Sequence, residues 1–473
     1  MVSTSKKPNI LLILVDDMGY GDFSRFNNGL SDTPRLDALI EESVCFTQSY
    51  TASPVCNPSR AALLTGRYPH RTGSIDTLEW RGLERLALGE TTLADVLKAA
   101  GYATGLIGKW HLGAYDMRYH PNARGFDEAV CFRGGMHDYY RWRLEYNDTI
   151  KLADGRYLTD LWADEAEAFI SRHRTEPFFL HLTFNAPHTP LQAPEQDVRP
   201  FVEKERFTRG VSILYGMLHR LDTCVTRILE VLKKNGLEEN TILLFSSDNG
   251  PQFGGEGELR LNRFNRGFNG AKGSVYEGGI RVPMLIRWPS GLDGGREVHE
   301  MVHFCDWFPT ILAMTDVTPS AGLRPLDGNS VLPLLRNGPT AAKRRFWQWN
   351  RYTPLATCNA AMRDGEWKLV RPAIDEAMQV PQDDLKWLWV SMYGPEHFIQ
   401  QGLVSDPEPG REVPLPTDPE LYLEPELYNI DQDPLEKNNL FTSQPQRAAK
   451  MLAELEGWFE EVDSERRSIP DKW

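Results

Sequence analysis

Four short apolar runs, at 9–15, 103–107, 178–184 and 241–246, alternate with stretches at 33–42, 92–100, 160–172 and 212–235 in which apolar residues recur at three- and four-residue steps. Short apolar runs bounded by Gly, Pro, Asp or charged residues read as strands buried on both faces, and the longer periodic stretches read as amphipathic helices. Strands and helices in alternation commit the chain to an α/β sheet covered on both sides. Gly101 and Gly236 stop two of the helices. With 473 residues, the chain has room for one large domain of this kind and a smaller second one.

The texture changes near residue 344, which places the expected boundary between a larger domain at 1–343 and a smaller one at 344–473. The second domain opens on a Trp-rich stretch and continues through a strand at 366–370, a Pro-rich loop at 407–419 and a helix at 445–462, where Met451, Leu452, Leu455 and Trp458 share a face. The Trp387-Leu388-Trp389 segment reads as core or as a protomer contact. Lys and Arg total 52 against 66 Asp and Glu, so 52 − 66 = −14, a surface that repels polyanions and excludes nucleic acid as the natural partner. The six cysteines are scattered singly, without the C-x-x-C pairing of a zinc or redox site. The apolar run at 10–15 is far too short to span a membrane or form a signal-peptide core. As it stands the sequence reads as cytoplasmic, and as periplasmic or secreted if an export signal has been removed.

In open α/β sheets, ligands gather at the carboxyl ends of the strands. Three of the apolar runs end in Asp16-Asp17, Gly108-Lys109-Trp110-His111 and Asp248-Asn249, and the fourth leads to Asn185-Ala186-Pro187-His188. Adjacent carboxylates at the end of a buried strand repel each other unless a cation or strong hydrogen bonds offset them. Asp16, Asp17, Asp248 and Asn249 offer the oxygen-only set that calcium or magnesium takes, whereas zinc more often wants His or Cys. Cys56 lies where a loop enters a helix near Pro58 or Ser59, so the helix dipole and Arg60, one turn on, favour anionic chemistry there. Taken singly, these are also ordinary strand-end acids, an inert buried cysteine and structural histidines. Their convergence at strand ends is what points to a site.

The run Cys56-x-Pro58-Ser59-Arg60, followed by Leu64-Thr65-Gly66-Arg67, resembles the signature of the type I, formylglycine-dependent sulfatases of the alkaline phosphatase superfamily. The second family signature is matched by Gly101-Tyr102-Ala103-Thr104-Gly105-Leu106-Ile107-Gly108-Lys109-Trp110-His111. The likeness continues through Ser247-Asp248-Asn249-Gly250, Gly270-Ala271-Lys272-Gly273 and Tyr276-Glu277-Gly278-Gly279 to Trp367-Lys368-Leu369 and Leu427-Tyr428-Asn429. Asn57 departs from it, standing where the family more often has a smaller residue. The resemblance implies an alkaline-phosphatase-like fold: a large mixed sheet flanked by helices, with a smaller C-terminal α+β domain of antiparallel sheet plus helix.

It also implies that a formylglycine-generating maturation enzyme oxidises Cys56 to Cα-formylglycine, whose hydrate is a geminal diol. One hydroxyl attacks sulfur, and the second lets the resulting hemiacetal collapse and expel sulfate by C–O cleavage. By the same resemblance Asp16, Asp17, Asp248 and Asn249, with residue 56, hold the metal, calcium by family habit and magnesium as the alternative. Arg60 and Lys109 stabilise the diol, Lys272 contacts the sulfate, His111 is the base and His188 the acid at the leaving oxygen.

The expected activity is sulfate monoester hydrolysis, exo-acting on a sulfated carbohydrate, with a sulfated small molecule as the other substrate class. The alternatives are a formylglycine-dependent phosphonate or phosphodiester hydrolase, against which Asn249 speaks, and a non-catalytic relative, against which all ten matched polar positions speak. The aromatic and charged residues of 133–143 and 347–352 are candidates for sugar contact, with His137, Asp138, Trp142 and Arg351 as the substrate-binding set; closure of an interdomain seam explains the same aromatics equally well.

Overall fold

The computed structural model describes residues 7–319, 321–340, 344–382, 384, 385, 387, 390 and 423–470. The Pro-rich loop at 407–419, Leu388 and Trp389 lie outside the described residues. The strands, in chain order, begin with β1 (Asn9–Val15), β2 (Val44–Phe46), β3 (Ser49–Tyr50), β4 (Ala103–Lys109), β5 (Glu128–Phe132), β6 (Arg143–Tyr146), β7 (Thr149–Leu152) and β8 (Phe178–Thr183). They continue with β9 (Thr241–Ser247), β10 (Met284–Arg287), β11 (Arg296–Val298), β12 (Val302–His303), β13 (Arg344–Gln348), β14 (Ala360–Asp364), β15 (Trp367–Arg371) and β16 (Glu426–Asn429).

Among the described residues the main sheet runs β11-β2-β10-β9-β1-β8-β4-β5-β6-β7. The four apolar runs of the sequence are β1, β4, β8 and β9, neighbours at its centre. β1 pairs in parallel with β8 and β9, and β4 in parallel with β8 and β5, so their carboxyl ends share one edge. β10, β6 and β7 run antiparallel to their neighbours, which makes the sheet mixed.

The continuous apolarity of β1 follows from its being covered twice. Ile10, Leu12 and Leu14 face one core with the helices Cys56–Thr65, Leu93–Ala99 and Trp307–Thr315. Leu11, Ile13 and Val15 face the other, with Pro34–Glu42, Leu158–Arg172 and Arg209–Lys234. Where β4 meets β8, Gly108 (φ 115) permits contact that a side chain would block, since a Cβ there would stand 1.9 Å from the Thr183 carbonyl oxygen. That approach seats the next residue, Lys109, at the edge where the parallel strands end.

β13-β14-β15-β16 form an antiparallel sheet, and the helix Pro445–Ser468 packs Met451, Leu455, Trp458 and Val462 into a core shared with the main sheet. Buried Lys368 of β15 pairs with Glu277 at 2.9 Å and Glu436 at 2.8 Å. That links the small sheet to the segment after Lys272. Trp387 belongs to a buried cluster with Ile75, Leu78, Trp80, Leu83 and Tyr352. No helix among the described residues is long and apolar enough to cross a membrane.

Leu12 is fully buried at mid-sheet and Leu152 on edge strand β7 is 70% exposed. Leu12→Ala is expected to cost about 2–5 kcal/mol and Leu152→Ala less than about 0.5 kcal/mol, as read by denaturant unfolding.

Candidate active site

The parallel strands deliver their end residues to one place. Asp16 and Asp17 follow β1, Asp248 and Asn249 follow β9, Lys109 ends β4, and His188 lies five residues beyond β8. Asp17 N–H donates to Asp248 Oδ1 at 3.3 Å, tying the two strand ends together. Cys56 is the first residue of its helix, with Val55 as N-cap, so the thiol sits at the positive end of a fully buried helix. The helix begins two to three residues earlier than the Pro58–Ser59 entry expected from sequence.

Each acid has a cation against it. Lys109 Nζ lies 2.7 Å from Asp16 Oδ2, Lys272 Nζ 2.8 Å from Asp17 Oδ1, and Arg60 Nη2 2.7 Å from Asp248 Oδ2. The Arg60 Nε donates to the same Asp248 oxygen at 2.9 Å. Burial pushes Asp17 up, but Lys272 and His188 more than offset it and hold its carboxyl well below the usual range. Asp248 goes the other way, pushed up to about 6 by burial and by the neighbouring Asp16 charge. Burial raises the Cys56 thiol despite Lys109 and Lys272, so the unmodified cysteine is a protonated thiol and a poor nucleophile.

Both histidines are neutral in this setting. Burial, then Lys109 and Arg60, lower His111 well below its ordinary value, and burial with Lys272 lowers His188 to about 3. His111 Nδ1 stands 3.3 Å from Cys56 Sγ. Its backbone is left-handed (φ 56), as is that of Asp17 (φ 67). Such conformations persist where surroundings over-determine them, and here Asn57 Nδ2 grips the His111 carbonyl at 2.6 Å. The residue that departs from the family pattern therefore has a job in this chain. Asn57 also donates to the Glu84 carbonyl and accepts from Ser74. His188 gives its Nδ1–H to the Thr189 carbonyl at 2.7 Å and turns Nε2 toward Asp17, 3.7 Å away. The Lys272 loop is fixed by Lys272 N–H to the Pro251 carbonyl and Gly273 N–H to the Pro54 carbonyl, with Asn359 of the small sheet bonded to Gly273 and Val275.

The donor set suits a hard divalent cation. Ligand atoms of Asp16, Cys56 and Asp248, and of Asp16, Asp17 and His188, lie within 4.8 Å of one another. Asp16 Oδ1 and Asn249 Oδ1 are buried acceptors without a hydrogen-bond partner, an arrangement that costs free energy unless a cation fills it.

The sulfatase family model matches residues 8–317, and a second model, the C-terminal region of N-sulphoglucosamine sulphohydrolase, matches 268–380. The chain belongs to the sulfatase family. Its members are enzymes that hydrolyse sulfuric esters. It is 34% identical over 365 residues to human N-acetylgalactosamine-6-sulfatase, covering 70% of this chain and 66% of that protein. It is 32% identical over 452 residues to mouse steryl-sulfatase, covering 76% and 69%. The crystal structure of Ps i-CgsB in complex with k-i-k-neocarrahexaose superposes with a TM-score of 0.77 at 30% identity, covering 96% of this chain and 93% of that one. The fold is the alkaline-phosphatase-like one of these sulfatases.

In this sulfatase a cavity of about 240 Å³ opens above Cys56, His111, His188 and Lys272, walled by Glu79, Trp80, Gln252 and Arg351. Arg351 is anchored by Asp76 Oδ1 and Thr77 Oγ1, each at 2.8 Å. The other three residues expected at the substrate do not line the cavity. Trp142 is buried in the second core, its Nε1–H donating to the Arg156 carbonyl. His137 packs edge-on against Phe132 and bonds the Arg143 carbonyl, and Asp138 caps the Tyr140 and Arg141 N–H groups while accepting from Gln192. The 133–143 loop reaches the cavity through Gly135 and Met136 instead. Thr77, Glu79 and Trp80 are wall residues that sequence reasoning missed; their signal was only a polar-aromatic loop between the two signature motifs.

Lys109→Met is expected to lower metal-free stability by roughly 3–5 kcal/mol by stranding Asp16, and added calcium should raise its melting temperature more than it raises that of wild type. Equal responses to calcium would contradict the charge assignment.

Proposed function

We propose that the chain hydrolyses a sulfate monoester on a terminal sugar, with residue 56 acting as Cα-formylglycine after maturation. The observation that carries this is the seat of Cys56: first residue of a buried helix, beside His111, at the centre of a cluster of paired acids and bases. As a thiol it is held protonated there; as an aldehyde hydrate it would supply two hydroxyls to a site built for anions.

Asp16, Asp17, Asp248 and Asn249 would hold a calcium ion, which supplies Lewis acidity to the sulfate oxygens and to residue 56 when bound. The residues divide the remaining work. With Asp16, Asp17 and Asp248 ionised, their charge is matched by Arg60, Lys109 and Lys272, so a bound divalent ion leaves the cluster two positive charges with which to receive a sulfate ester. Lys272 stands at the cavity floor to bind sulfate oxygens, and Arg60 is locked toward the strand ends by Asp248. His111, neutral, suits proton uptake from residue 56. His188 presents Nε2 to the leaving oxygen, and an arriving anion beside it raises its affinity for the proton that it donates.

The cavity of about 240 Å³ lies below the roughly 300–1,000 Å³ of pockets for drug-sized ligands. That supports one terminal sugar residue, with Trp80 as an apolar wall and Arg351 as a fixed polar one. The carbohydrate complex of the similar Ps i-CgsB supports the substrate class.

The test is sulfate release from a panel of sulfated monosaccharides and oligosaccharides by protein co-expressed with a formylglycine-generating enzyme. Cys56→Ala is expected to lower kcat by about 10³-fold or more, and retained turnover would sink the mechanism. Arg351→Ala is expected to raise KM about tenfold for a sulfated sugar while leaving a small aryl sulfate unaffected; equal effects on both would remove Arg351 from sugar recognition.

A further inference from the structure

His111 faces Cys56 through Nδ1 and turns its other ring nitrogen away. There Nε2 stands 3.8 Å from Glu79 Oε1. Glu79 is only 1% exposed, opens the short turn Glu79–Arg81, and receives the Gly135 backbone N–H on that same Oε1. Gly135 has to be glycine: a Cβ there would lie 2.7 Å from His111 Cε1, 2.8 Å from Nε2 and 3.2 Å from Glu79 Oε1. Residue 56, an imidazole and a carboxylate thus stand in line, drawn from three segments of chain. None of the sequence motifs includes Glu79.

We propose that Glu79 is a positioning residue that holds the imidazole of His111 for proton uptake from residue 56. The inference rests on the function proposed above. To accept a proton from residue 56, Nδ1 must present its lone pair, so Nε2 carries the hydrogen. A carboxylate beside Nε2 favours that tautomer and stabilises the imidazolium that forms. In the sulfate-releasing half of the reaction, the proton of the remaining hydroxyl on residue 56 moves to Nδ1. The O–H electron pair becomes the second bond of the aldehyde C=O, and the C–O bond to sulfate breaks with its pair on sulfate. The imidazolium then returns its proton to water. At 3.8 Å the contact is an ion-pair distance rather than a hydrogen bond, and such contacts tighten in the loaded complex.

The experiment compares matured wild type, Glu79→Gln and Glu79→Asp on an aryl sulfate that wild type turns over, with residue 56 conversion checked by mass spectrometry. For Glu79→Gln the expected result is a burst of alcohol equal to the enzyme concentration, then a kcat lowered about 10- to 100-fold with KM falling in the same proportion, so that kcat/KM stays within about twofold of wild type. Glu79→Asp recovers part of the loss, and in a His111→Ala background Glu79→Gln costs nothing further. If Glu79→Gln does not fold, the Glu79→Asp burst and its own cycle with His111→Ala carry the same reading. Unchanged kcat, an additive double mutant, or a raised KM at constant kcat overturns the proposal, the last by making Glu79 a substrate-binding carboxylate. A wild type that releases no sulfate refutes the proposed function and this inference with it, whereas a working wild type indifferent to Glu79 refutes the inference alone.

Discussion

Three carboxylates buried at the ends of adjacent parallel strands repel one another unless counter-charge is built in, and the fold supplies it from three separate elements. Lys109 comes from β4, Arg60 from the helix that starts at Cys56, and Lys272 from a loop held by the small sheet. Much of the architecture follows from that need. β1, β4, β8 and β9 must be neighbours for their ends to meet, and the helix Cys56–Thr65 must point its N-terminus at the same edge. The small sheet must be docked firmly enough for Asn359 and Lys368 to fix the segment that carries Lys272 and Glu277.

The acids and bases of the site are balanced against each other. The protein alone offers an anion little net attraction, because its bases are spent on its own acids. The two histidines of the site, His111 and His188, are neutral, which leaves both free to exchange protons. Unpartnered oxygens on Asp16 and Asn249 mark where further positive charge is wanted. Above this floor lies the cavity of about 240 Å³, whose further walls come from loop residues such as Trp80, Gln252 and Arg351.

Most of the floor was legible in the sequence, since strand-end residues sit where an apolar run stops and the signature motifs fix their neighbours. β1, β4, β8 and β9 match the apolar runs to within two residues, because strands buried on both faces carry an unbroken signal. The flanking strands β5, β6, β7, β10 and β11 did not declare themselves: they are short, and β7 is exposed along its whole length. The walls were the least legible part. Asp138 and Trp142 have the composition of a sugar site, yet their polar atoms close hydrogen bonds within their own loop and with the loop residues Arg156 and Gln192. Only the fold decides whether such a group faces a cavity or its own backbone. Glu79 and Gln252, which do face it, sit in loops with no periodicity to mark them.

The central claim is that the acids and bases of the floor cancel, so that anion affinity comes with the metal. Calorimetric titration of inorganic sulfate into the matured protein, first stripped of divalent ions and then saturated with calcium, tests it most directly. The account predicts binding at least about tenfold tighter with calcium, a difference of about 1.4 kcal/mol. Equal affinity in the two states would contradict it and would mean that Lys272, Lys109 and Arg60 serve the anion rather than the carboxylates.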